Sequence, residues 1–134
     1  MHGKNHLELL QVQSLFRDLS QELTMHMMKE EQLLFPYITE IEEAVSRRRS
    51  LLPAMFGTVQ NPVRMMTLEH DSSGQMLHKI GEFTNGYISP PDACVTYQTL
   101  YRALEVFERD LHEHIHLENN ILFSRSVDLE AAAL

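Results

Sequence analysis

HMMKEEQLLF, residues 26–35, and HIHLENNILF, residues 114–123, follow one pattern: His, three residues, Glu, two residues, Leu or Ile, then Leu-Phe. A ten-residue pattern occurring twice in a chain of 134 residues is hard to produce by accident. On a helix, side chains four residues apart project from nearly the same side, and those two apart point to roughly opposite sides. Each copy therefore predicts a helix that carries one His and one Glu side by side. In the second copy the rule separates three closely spaced histidines: His114 shares a face with Glu118, while His112 and His116 share the other.

The neighbours say which face turns inward. In the first copy the apolar stripe runs Phe16, Leu19, Leu23, His26, Glu30, Leu33, Tyr37 and Ile41. In the second it runs Leu100, Leu104, Phe107, Leu111, His114, Glu118 and Ile121, whereas His112 and His116 sit among Glu105, Glu108, Arg109 and Asn119, a solvated face. A stretch between the two copies places His70 on a seam of Val63, Met66 and Leu77, with the small Ser73 and Gly74 leaving room beside it. His78 lies on a more polar side. Three inward imidazoles and two inward carboxylates in one core are costly to desolvate unless they are paired or bind a metal. Imidazole with carboxylate and no thiolate suits iron or manganese, and carboxylates from two helices can bridge two ions. Structural zinc favours cysteine ligands and is the weaker candidate.

Apolar spacing of three and four dominates, so the fold class is all-α, with one domain spanning residues 1–134. A first long helix is expected from about Asn5 to Arg49, kinked or interrupted at Pro36. A second is expected to start at Asn61-Pro62 and to stop at Asn85-Gly86. A third is expected from about Pro91 to Phe123, and the tail VDLEAAAL is assigned no role. Bundles with polar sites at their centre usually have four helices. The expectation is therefore an up-down bundle, three long helices of an incomplete four-helix arrangement. A net charge of −8 argues against a nucleic-acid partner, and the single cysteine, Cys94, excludes an intramolecular disulfide and any CxxC motif. No apolar run approaches a membrane span and no signal-peptide pattern opens the chain, which predicts a cytoplasmic protein.

Together HMMKEEQLLFPYI, LEHDSSG, SPPDACVTYQTLYRAL and LHEHIHLENNILF resemble the hemerythrin-like domain of the repair-of-iron-centres family, bacterial di-iron proteins linked to recovery of iron–sulfur clusters after nitric oxide or oxidative stress. The resemblance runs from the opening His2-Gly3 to about Phe123. It implies a cofactor of two iron ions, oxo- or hydroxo-bridged, with His26, His70 and His114 as terminal ligands and Glu30 and Glu118 as bridges. His2 resembles a histidine close to the site in that family. The family's preceding ligand-bearing helix and its small cysteine-bearing N-terminal domain have no counterpart here, which leaves an apolar groove and predicts a homodimer that covers it. The implied role is iron–sulfur cluster repair by iron donation or by nitric oxide chemistry, with iron–sulfur proteins as partners and nitric oxide or dioxygen as small ligands. Two alternatives are non-enzymatic binding or sensing of iron or oxygen, and a dimeric domain whose metal site has decayed.

Overall fold

The computed structural model describes residues 7–134, and among them the chain forms the expected all-α bundle, built as three long rods. The first rod comprises α1 (Leu7–Lys29), a π-helical turn π1 (Glu30–Leu34) and α2 (Phe35–Ser46). The second is α3 (Gln60–Phe83). The third comprises α4 (Val95–Leu117), a second π-helical turn π2 (Glu118–Leu122) and α5 (Phe123–Ala133). α1 packs lengthwise on α3 and α2 packs on α5, whereas α3 and α4 touch more lightly.

The ends of the rods follow local chemistry. α3 closes as the sequence predicts: Asn85 (φ 53°) and Gly86 (φ 72°) turn left-handed, and the Gly86 N–H reaches back to the Gly81 carbonyl at 2.8 Å. Its start lies slightly earlier than expected, with Val59 at the cap and Asn61 donating instead to the Phe56 carbonyl at 2.7 Å. Pro62 then falls in the first turn, where a backbone donor is not needed. The third rod begins at Val95 rather than near Pro91, after an extended Cys94.

Pro36 does not break the first rod. It sits at the start of α2, directly after π1, and that wider turn relieves the clash its ring would make with the turn before it. Proline is not the cause of the turn, because π2 forms at the same place in the second copy of the repeat with Ser124 where the first has Pro36. In both copies the π turn opens on the glutamate, and the Phe that ends the repeat donates its N–H to that glutamate's carbonyl. The wider turn carries the inward face one residue further. Leu34 is buried and Leu33 exposed, where the plain helical stripe places Leu33 inward; Ile121 is likewise exposed.

The tail also differs from expectation. Residues 123–133 continue the third rod as a packed helix rather than an idle end. Glu130 is buried there and accepts hydrogen bonds from the Tyr37 hydroxyl (2.9 Å), the Val59 N–H (2.8 Å) and the Thr58 hydroxyl. Beside the Glu130 carboxylate, burial pushes the Tyr37 hydroxyl up to about 12.

Two apolar clusters make the core. One gathers Leu19, Leu77, Ile80, Tyr97, Tyr101 and Leu104; the other gathers Leu34, Tyr37, Ile41, Met66 and Phe123. The buried polar residues His26, Glu30, His70 and Glu118 fall between these clusters along their rods, so the fold brackets them with apolar layers. On one side the bundle is open. A groove between α1 and α4, lined by Leu9, Phe16, Leu100 and Phe107, has a volume of about 410 Å³. It continues into a cavity of about 260 Å³ beside Leu23, Leu111 and His114.

Candidate metal centre

His26 and Glu30 come from the first rod, His70 from the second and Glu118 from the third, and all four are buried. One donor atom from each lies within 4.8 Å of every other. His26 Nε2 stands 2.7 Å from Glu30 Oε1 and 3.1 Å from His70 Nε2, and His70 Nε2 stands 2.9 Å from Glu118 Oε1. The Phe123 ring that closes the second repeat stacks on His70, with centroids 5.7 Å apart and planes 3° from parallel. The repeat thus supplies a ligand, a carboxylate and a packing wall in one local sequence.

His114 takes a different position from the one its stripe suggests. Its side chain is 49% exposed, because it faces the open groove rather than a neighbouring rod. Its Nε2 nevertheless points to the centre, 3.2 Å from Glu118 Oε1. His2 lies outside the described residues. His112, His116 and His78 are exposed, as their faces predict.

The outer nitrogens show which atoms are free to bind. His26 Nδ1 meets Glu69 Oε1 at 3.0 Å, and His70 Nδ1 meets Asn119 Oδ1 at 2.7 Å. Both partners are acceptors, so each Nδ1 carries the hydrogen. A neutral imidazole then turns a bare Nε2 lone pair inward. With both rings neutral, the inward atoms are two imidazole lone pairs and two carboxylate oxygens at close range, an arrangement that needs a cation or protons among them. Glu118 Oε1 carries the signature of this: it is buried with three imidazole nitrogens within 3.9 Å, yet no N–H meets it with hydrogen-bond geometry. The donor set fits a cation, and its nitrogen and oxygen chemistry fits iron.

In the metal-free centre, protons do what a cation would. Burial pushes His26 down, but Glu118, Glu30 and Glu69 outweigh it and raise the imidazole to about 10. Burial and the neighbouring Glu118 raise Glu30. Glu118 moves the other way, because His26 and His70 overcome the cost of burying its charge. Two carboxylates held close in a buried site separate in this manner, one shifted up and the other down.

Sequence reading missed two of these contacts. Periodicity does not single out Glu69, and it places Asn119 on the solvated face. Asn119 is half-buried because π2 turns its side chain toward the second rod. The only sequence signal for either is adjacency: each stands beside a ligand, Glu69 before His70 and Asn119 after Glu118.

The sequence model of the Hemerythrin HHE cation binding domain matches residues 2–126. The chain belongs to that family. Among curated relatives, the hemerythrin-family chain is 40% identical over 109 residues to the iron-sulfur cluster repair protein YtfE of Citrobacter koseri, covering 81% of this chain and 44% of that protein. The same figures hold for the protein of that name in Escherichia coli O81, and identity is 39% over 109 residues, with the same coverage, for that of Escherichia fergusonii. The chain thus spans less than half the length of these relatives. Its hemerythrin-family helices include none among the described residues that is long and apolar enough to cross a membrane.

Proposed function

We propose that this chain holds two iron ions in a hemerythrin-like centre and serves the repair of iron–sulfur clusters damaged by nitric oxide or oxidative stress. The orphaned Glu118 Oε1, facing three imidazole nitrogens in a buried site, carries the metal half of the reading. The names of the relatives support the repair half. His26, His70 and His114 would be terminal ligands and Glu30 and Glu118 the shared carboxylates, with His2 a further candidate. Bound iron would supply redox equivalents and exchangeable positions for a small ligand. The protein's own part is to fix the imidazoles through Nδ1, to stack Phe123 on His70, and to leave His114 beside an apolar cavity. The mostly apolar lining of that cavity suits small uncharged molecules such as nitric oxide or dioxygen.

The test is metal content by elemental analysis after anaerobic loading with ferrous iron, alongside Glu118→Ala and His70→Ala. About two irons per chain, lost in both variants, is the expected result. Wild-type protein that retains no iron would sink the reading. Reversible binding of iron or a diatomic ligand without turnover is the second reading, favoured by the apolar lining of the 260 Å³ cavity. Sustained consumption of nitric oxide by the reduced protein separates the repair role from this one.

A further inference from the structure

The inference concerns the residues behind the centre and rests on the cation-centre reading above. Glu69 stands on α3 next to His70, but its side chain reaches across to the first rod. There Oε1 meets His26 Nδ1 at 3.0 Å, and Oε2 accepts from Lys29 Nζ at 2.8 Å. Lys29 lies one turn beyond His26 on α1, so one carboxylate ties together two residues of the opposite rod. The Glu69 side chain is 28% exposed and borders a surface pocket with Glu22 and Lys29, so it stands between solvent and the buried imidazole.

We propose that Glu69, pinned by Lys29, is a positioning residue for His26: it selects the tautomer that presents Nε2 to the metal and strengthens that nitrogen as a donor. A carboxylate behind a ligating imidazole orients the ring and raises its basicity. Lys29 adds a second function. With Oε1 held by His26 and Oε2 by Lys29, the carboxylate has no free oxygen with which to swing inward and become a ligand itself. His70 provides an internal comparison, because its Nδ1 is held by the neutral Asn119. The two buried imidazoles are thus oriented alike but charged differently from behind, and His26 is the stronger donor of the two. No described side chain holds His114 Nδ1 in this way.

The experiment uses the full chain as wild type, Glu69→Gln, Glu69→Ala and Lys29→Met. Ferrous iron affinity is measured anaerobically against a competing chelator, and the His26 Nδ1–H resonance is sought in proton–nitrogen spectra of the metal-free protein. Glu69→Ala should bind iron on the order of 10- to 100-fold more weakly and lose the resonance. Glu69→Gln, which keeps an acceptor oxygen as Asn119 does, should recover part of the affinity and keep the resonance. Lys29→Met should fall between Glu69→Gln and wild type. Wild-type affinity in Glu69→Ala overturns the proposal. So does a Glu69→Gln protein as weak as Glu69→Ala with matching loss of thermal stability, since that marks a structural role only. If wild type binds no iron, the centre fails as read; absence of the His26 Nδ1–H resonance from wild type overturns the clamp by itself.

Discussion

His26 shows how one residue answers to three neighbours at once. Burial alone would strip its proton, yet Glu118, Glu30 and Glu69 raise it to about 10, so at neutral pH the metal-free ring is charged. A metal must displace that proton. Below about 10 the competent, deprotonated fraction grows roughly tenfold per pH unit, so ferrous iron affinity should rise with pH and level off above that point. Competition titrations between pH 6 and 8 check this, and an affinity independent of pH would contradict the assignment of His26 as a ligand. The same shift has a stability consequence for the metal-free protein. A group raised above its unfolded value stabilises fully below that value and loses its contribution as pH climbs through the folded one.

At the scale of elements, the two π turns and the tail helix act together. Each turn starts on a repeat glutamate and advances the buried face by a residue, which sets Leu34 and Phe123 into the second core cluster. α5 then continues in the register that brings Glu130 to Tyr37, Thr58 and Val59. Glu130→Ala would leave a backbone N–H and two hydroxyls without their acceptor inside the fold. Each buried group left unsatisfied costs about 1–3 kcal/mol, so this single change should destabilise by a few kcal/mol, read as a lowered urea midpoint. Glu130→Gln keeps an acceptor and should cost less. Half-buried Arg49, at the surface, grips Glu40 through two contacts of 2.8 Å and holds that carboxyl down to about 2, but it contributes little by comparison because solvent still reaches and screens the pair.

For the whole molecule, the open face between α1 and α4 is the dominant feature. Its walls expose Leu100 and half-expose Phe16 and Phe107 along a continuous strip that ends at His114. A contiguous apolar strip of this kind seldom stays exposed, and we propose that a second copy of the chain covers it. Sedimentation at increasing concentration should show a monomer–dimer equilibrium. Leu100→Glu should shift it to monomer while leaving iron content intact, because Leu100 lies far along α4 from Glu118. A monomeric wild type at all concentrations would contradict the homodimer.

The sequence by itself determined the helices, their approximate ends and the inward pairing of His26 with Glu30. These follow from spacing along one chain, and a period of 3.6 residues is a local property. The duplicated pattern also revealed that His70 would have company from two rods. What lies across a gap between rods is not local, and only the tertiary structure decided it. Glu69 and Asn119 are unremarkable polar residues until the neighbouring rod places an imidazole within 3.0 Å of each. Glu130 in a tail given no role proved to be an anchor because α2 and the connector before α3 bring three donors to it. His114 keeps the direction its stripe predicts but not the burial, since burial depends on a neighbour and its neighbour's place is the open groove. Periodicity fixes where a side chain points; packing fixes what it meets.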